Sequence, residues 1–330
     1  MDGMLISIIV FLVVYIAITF ELANKAVAAL SGVAVLILLH VIDEHHAIEF
    51  IDFETIMLLF GMMIIVSVLK HSGLFTIISV RISELTRGNP VKILILFSVV
   101  TALMSAFLDN VTTVLIIIPI IIELTRGLGL DPKKYVLSQA IISNIGGAAT
   151  LIGDPPNVII GSKVGLTFNQ FLLNLSPPII VIFVVVLAFI WATNRNQFKP
   201  INTNIVKLFT VNLLLEKIRH DFLSIKIDYN LMQKGLFFLV IAIILFITQT
   251  ITGLAPGVIA ISAGFFLVLV SGMNLEKAME EVEWSTLMFF VGLFILVGAL
   301  EEYGVIEWIA HHVFLNVGDN PYVVVLVVEW

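Results

Sequence analysis

Apolar runs close to the length that spans a bilayer recur eight times in this chain, near 4–20, 26–42, 55–70, 134–161, 177–193, 235–252, 256–272 and 285–300. A transmembrane helix needs about 20 mostly apolar residues, so the pattern predicts an all-α polytopic membrane protein. Composition agrees: 60% of the residues are hydrophobic, 12% are charged and mean hydropathy is +1.12, whereas soluble domains are about a quarter charged. The first run lacks a basic leader and a small-residue cleavage site, so it reads as a first span and not as a removable signal.

Several chemistries drop out. The chain has no cysteine, which excludes disulfides, thiol catalysis and Cys-based metal sites. Its histidines form no ligand pattern: His45-His46 and His311-His312 are adjacent pairs in polar loops. No GxxxxGK[ST] phosphate loop is present, so the chain does not consume nucleotide by that route. The net charge of -7 lies in the loops and says little about partners.

One further apolar segment, 91–126, is interrupted by Asp109, and Pro90 opens it as a first-turn proline would. Before it, Leu74 to Gly88 reads as an amphipathic interfacial helix. The loop 43–54 holds five acids and no Lys or Arg. With the N-terminus outside, 16 of the 17 Lys and Arg fall on the cytoplasmic face and only Lys163 on the other, as the positive-inside rule expects. This topology requires 91–126 to start and finish on one side and 134–161 to cross once. The predicted location is the cell membrane, with the polar connection 194–230 cytoplasmic.

That connection divides the chain, and the two sides resemble each other. Glu283-Trp284-Ser285-Thr286, running on to Gly292 and Tyr303-Gly304, lies over Asp52-Phe53-Glu54-Thr55, Gly61 and Ser72-Gly73 at an offset of 231. Leu254-Ala255 with Gly264 lies over Leu22-Ala23 with Gly32 at an offset of 232. Polar and glycine landmarks in constant register mark a repeat. An odd number of crossings separates the copies, so the second is inserted upside down, an arrangement common among secondary transporters. The expected organisation is a first repeat over 1–193, comprising scaffold helices 4–70, a re-entrant hairpin 91–126, a broken helix 134–161 and a span 177–193. A linker at 194–230 and a partial second repeat at 231–330 follow. The second copy stops at Trp330, the counterpart of Val99, which suggests a chain about 95 residues short of two full repeats.

Two polar clusters sit where hydrocarbon is expected, and intramembrane polar groups are functional candidates by default. The first is Ser105-Ala106-Phe107-Leu108-Asp109-Asn110-Val111-Thr112-Thr113. It lies about 25 Å along either helical arm of its segment, so the tip of a hairpin there is deep. An arm starting at Val111 would aim free amides at a ligand. The second is Asn144-Ile145-Gly146-Gly147-Ala148-Ala149-Thr150-Leu151-Ile152-Gly153-Asp154-Pro155-Pro156-Asn157. Gly146, Gly147 and Gly153 predict an unwound stretch. Asp154 before Pro155-Pro156 predicts an N-cap and a restarted helix. Freed carbonyls in such a break can hold a cation, while the restarted helix favours an anion. The blander alternatives are a kinked span and a glycine-rich packing contact.

These two clusters, with Phe53-Glu54-Thr55 and Leu59-Phe60-Gly61-Met62-Met63-Ile64 upstream, resemble the ion transporter superfamily with its citrate transporter-like domain. The resemblance is nearest to the branch of arsenite efflux permeases and the pink-eyed-dilution (P) protein. It implies scaffold and transport domains, a homodimer and an elevator-like movement, with sodium and substrate held where a hairpin tip meets a helix break. Carried over, Asp109, Asn110, Thr112 and Thr113 form the tip. Asn144, Gly146, Gly147, Thr150, Gly153, Asp154, Pro155 and Asn157 form the break, with sodium near Asn110, Asn144 and Asp154. A second hairpin and second break are absent from these residues.

The function expected is secondary active transport of a small solute, by antiport or symport coupled to H+ or Na+. Candidate solutes are arsenite or antimonite, sodium in exchange for protons, or a citrate-like anion. No cofactor and no enzymatic activity are expected. Two rivals stand beside this: a gated ion channel, and an intramembrane aspartyl protease, against which the GxGD signature is missing because Leu151-Ile152 precede Gly153-Asp154.

Overall fold

The computed structural model describes residues 3–108, 110–195, 220 and 227–317, with side chains to His311. Asp109, most of the 194–230 connection and residues 318–330 lie outside the described residues. All regular structure among the described residues is helical. In order the helices are α1 (Gly3–Thr19), α2 (Lys25–Leu38), α3 (Glu44–Glu49), α4 (Phe53–His71), α5 (Leu74–Thr86), α6 (Pro90–Ser105), α7 (Asn110–Gly127) and α8 (Pro132–Gly147). They continue with α9 (Pro155–Val164), α10 (Phe168–Thr193), α11 (Tyr229–Ile247), α12 (Gln249–Thr252), α13 (Pro256–Ser271), α14 (Leu275–Met279), α15 (Trp284–Glu302) and α16 (Val305–Val317).

The chain is an all-α polytopic membrane protein. Among the described residues five helices, α4, α7, α10, α11 and α15, are long and apolar enough to span a bilayer, while α1, α2, α6 and α13 are shorter apolar helices. Two spans differ from expectation. The run at 177–193 belongs to a helix that starts at Phe168, behind a capping box of Thr167 and Gln170, and continues through Pro177 and Pro178. The run at 235–252 divides at Thr248 into α11 and the short α12.

Helix starts follow local chemistry. Asn24, Asp43, Asn89, Asp131 and Asn274 each accept a backbone N–H with the side chain at the N-cap, satisfying donors that the first turn leaves free. Proline follows at N1 in α6 and α8. At Asp43 the amides of His45 and His46 lie 2.8 and 2.9 Å from Oδ1, and they hold the carboxyl below its usual range.

The helices form two compact units, one from residues up to Ile56 with those from Glu283, the other from Met57 to Val282. In the first, α2 packs on α15 through small residues: a Cβ at Gly292 would lie 2.8 Å from that of Ala29. Val14, Leu36, Ile295 and Leu296 fill the surrounding core. Both Asp52 and Glu283 sit three residues before a threonine whose hydroxyl they accept, Thr55 at 2.8 Å and Thr286 at 2.7 Å.

In the second unit α4 and α13 meet at Gly61, where a Cβ would fall 2.5 Å from the Ala260 carbonyl oxygen. Lys70 pairs with Glu281. The amphipathic segment α5 packs one face against α6 and α7. Its buried face is Phe75, Ser79, Val80, Ser83 and Thr86. Short side chains allow close approach there, and their hydroxyls are tied to backbone carbonyls of the same helix at 2.7–2.9 Å. The pair α6–α7 and the pair α8–α9 lie in this unit and carry the candidate site.

Candidate functional site: a helix turn against a helix break

Helix α6 ends at Ser105, the chain turns through Ala106 to Leu108, and α7 begins at Asn110. Helix α8 ends at Gly147, seven residues from Ala148 to Asp154 are non-helical, and α9 begins at Pro155. The turn and the break are in direct contact. Asn110 Nδ2 donates to Asn144 Oδ1 at 3.1 Å and to Asp154 Oδ2 at 3.3 Å. Thr150 Oγ1 donates to the Ala106 carbonyl and accepts from Gly153 N at 3.0 Å. Asn157 Nδ2 donates to the carbonyls of Gly147 at 3.1 Å and Thr150 at 2.9 Å. Three of the predicted site residues, Asn110, Asn144 and Asp154, therefore converge, while Thr150 and Asn157 hold the shape of the break around them.

The glycines behave differently from expectation. Gly146 and Gly147 are helical, and unwinding starts only at Ala148. What these positions supply is room. A Cβ at Gly146 would lie 2.6 Å from Ala102 Cα, and one at Gly147 would collide with Asn110 Oδ1. At Gly153 a Cβ would sit 2.5 Å from the Gly147 carbonyl and 2.7 Å from that of Ser105. Absence of a side chain, not freedom of φ, is the property used at all three.

Asp154 occupies the N-cap position of α9, with extended backbone, but makes no side-chain cap bond. Its carboxylate reaches Asn110 instead. The cap expectation thus holds for position and fails for the bond, because a partner 44 residues away competes for the side chain. Pro155 opens α9 as expected. Thr113, one turn along α7 on the face that carries Asn110, is fully buried, and its hydroxyl has no hydrogen-bond partner among the described residues. Thr112 is partly buried, and Asp109 lies outside the described residues.

Ser105 completes the site and was not singled out by the sequence. Its Oγ is fully buried, 2.6 Å from Asn110 Oδ1 and 2.7 Å from the Ser143 carbonyl. One hydroxyl hydrogen cannot serve two acceptors, so this corner holds more oxygen lone pairs than donors. Its signal in the sequence was a serine heading the first polar cluster. No group of three or more His, Cys, Asp or Glu is gathered among the described residues. Among the described residues, a cation here would be met by neutral oxygens and the Asp154 carboxylate.

A citrate transporter family model matches residues 15–330, including both halves of this site. The chain belongs to the citrate transporter family. Similar proteins include an uncharacterized transporter of Mycobacterium bovis, 36% identical over 321 residues that cover 96% of this chain and 72% of that protein. A 46 kDa membrane protein of Mycobacterium leprae is 36% identical over 309 residues, 92% of this chain and 70% of its own length. The P protein of Homo sapiens is 31% identical over 379 aligned positions, 93% of this chain and 45% of its own. This citrate transporter family member is a multi-pass membrane transporter, with its turn and break joined within one unit.

Proposed function

We propose that this chain is a secondary carrier in which the contact between the α6–α7 turn and the α8–α9 break holds a small solute together with a coupling cation. The observation that carries the reading is the position of Asn110, whose amide engages Asn144 and Asp154 while its carbonyl faces Ser105. The donor-poor corner of Asn110 Oδ1, Ser105 Oγ and the Ser143 carbonyl suits a hard cation such as Na+, which prefers oxygen ligands as other hard ions do. Asp154 supplies charge for Na+ or, when protonated, a site for H+. The N-termini of α7 and α9 both begin at this place, and helix N-termini favour anions. A citrate-like carboxylate beside the cation is therefore the anionic solute proposed; arsenite and antimonite, mostly neutral at pH 7, would be met by the hydroxyls and carbonyls instead, and Na+/H+ exchange is the simplest form.

Alternating access in this reading follows an elevator-like path in a homodimer of the cell membrane, with the N-terminus outside and the 194–230 connection cytoplasmic. The repeat is supported by small-residue contacts at Gly61 and Gly292 and by like threonine bonds at Asp52 and Glu283.

Everted vesicles containing the full-length protein test the function: addition of Na+, arsenite or citrate should dissipate an imposed pH gradient. Asp109→Asn and Asp154→Asn should each abolish that dissipation while leaving the protein folded. Unitary current steps in planar bilayers, with no dissipation that depends on a solute gradient, would replace the carrier with a channel.

A further inference from the structure

Beyond the turn and the break, α6 and α8 share a buried polar seam that the proposed site does not use. Thr101 Oγ1 donates to Gln139 Oε1 at 2.7 Å, and Gln139 Nε2 lies 3.4 Å from Ser98 Oγ. All three residues have no exposed surface. Farther along the same pair of helices Tyr135 Oη donates to the Pro90 carbonyl at 3.3 Å, and in the other direction Ser105 reaches the Ser143 carbonyl. Gln139 and Ser143 are one turn apart on α8, and Thr101 and Ser105 are one turn apart on α6, so the two rungs stack along the interface.

We propose that Gln139 is a positioning residue that fixes the register of α6 on α8 and thereby the meeting of Asn110 with Asn144 and Asp154. Ile93, Leu94 and Phe97 of α6 and Ile142 of α8 are fully buried, but apolar contact is non-directional and discriminates poorly against a displacement by one turn, about 5.4 Å. Gly146 against Ala102 and Ser105 on the Ser143 carbonyl hold the register at the end next to the break. The Gln139 amide holds it farther along, because after such a slip it finds neither Thr101 nor Ser98. A buried polar group without a partner is strongly disfavoured. The bland alternative is that the seam only glues the two helices together. In that case its loss lowers stability and leaves the register of the folded molecules unchanged.

The inference rests on the proposed carrier reading for its consequence in transport, but its geometry can be tested without it. The chain contains no cysteine, so spin labels at Ile95→Cys on α6 and Leu137→Cys on α8, both on exposed positions, report the register through their dipolar coupling. In the full-length protein, Gln139→Leu should alter or broaden that coupling in the folded molecules, read well below the unfolding temperature, because the stranded Thr101 and Ser98 hydroxyls lower the melting temperature whichever role the seam has. Gln139→Glu supplies an internal control. Its carboxyl accepts from the Thr101 hydroxyl in either protonation state, and it donates to Ser98 when protonated or accepts from the Ser98 hydroxyl when ionised. Its coupling should therefore stay with that of the parent. Tracer Na+ uptake should show an apparent KM raised about tenfold in Gln139→Leu, equivalent to 1.4 kcal/mol. Coupling unchanged in Gln139→Leu, or altered to the same extent in Gln139→Glu, would overturn the register role. If the parent carries no Na+, arsenite or citrate flux but the coupling changes as stated, the carrier reading fails and the role of Gln139 stands.

Discussion

Asn110 Nδ2 lies 3.3 Å from Asp154 Oδ2, although 44 positions separate the two residues. The bond joins the first residue of α7 to the residue before α9, and it draws the Asp154 carboxylate away from the helix it would otherwise cap. Asn110→Asp places a second carboxylate against the first, and like charges so close disfavour joint ionisation. Asn110→Ala removes the amide altogether. Hydrogen bonds to charged groups contribute about 1.5–3 kcal/mol, so tracer Na+ binding should weaken by tenfold or more in both variants. The Asp variant should partly recover at low pH.

The adjacent glycines at the end of α8 should fail in different ways. Gly146→Ala drives a methyl into the backbone of Ala102, and overpacking of this kind costs about 1–3 kcal/mol. Gly147→Ala meets the movable end of the Asn110 side chain and, at 3.2 Å, the Gly153 carbonyl. Thermal unfolding should register the first substitution more strongly than the second, while solute flux is lost in the second without loss of folded protein.

Thr150 joins the break to the turn through its hydroxyl, which donates to the Ala106 carbonyl and accepts from Gly153 N. Thr150→Val keeps the shape and deletes both bonds, leaving buried partners unsatisfied at about 1–3 kcal/mol. Thr150→Ser should melt close to the parent and Thr150→Val measurably below it.

Small-residue packing in each unit gives a paired test. At Gly61 an added methyl falls 2.5 Å from the Ala260 carbonyl oxygen, whereas at Gly292 it falls 2.8 Å from the Ala29 Cβ and 3.1 Å from the Ala29 carbonyl carbon. Both neighbours move only with their backbone, and the overlap at Gly61 is deeper, so Gly61→Ala should depress the melting temperature more than Gly292→Ala. Equal effects would show that both sites relax alike.

Outside the membrane, Asp43 offers a pH signature. The His46 and His45 amides keep its carboxyl ionised below the usual value of 3.8. A folded-state pKa that is depressed contributes stability above the unfolded value and loses it as pH falls through the folded one. Fraying of α3 should therefore begin only below pH 3.8, and carboxyl carbon shifts of Asp43 followed by NMR should titrate at lower pH than those of an exposed aspartate.

The all-α membrane character, the N1 prolines at Pro90 and Pro155 and the approximate places of turn and break were legible in the residues. These features are set by signals acting over one or two helical turns: apolar length, cap chemistry and the geometry of proline. Other features were not legible. Gly146 and Gly147 read as helix breakers because glycine lowers helix propensity. The contact with Ala102 and Asn110 that makes them helical packing positions comes from residues 37 or more positions away. Ser105 and Gln139 carried no motif, because a serine or glutamine in an apolar helix is uninformative until its partner is known.

By itself the sequence determined that the chain enters the membrane as helices and that two polar interruptions lie within it. Only the tertiary structure decided which polar atoms share a proton, which glycines admit a neighbour and where the Asp154 carboxylate turns. Local backbone preferences act within a few residues of chain. Hydrogen-bond partnership in a water-poor interior is settled by whichever donor the packing brings within 3 Å or so, and at this site the turn and the break find their partners in each other.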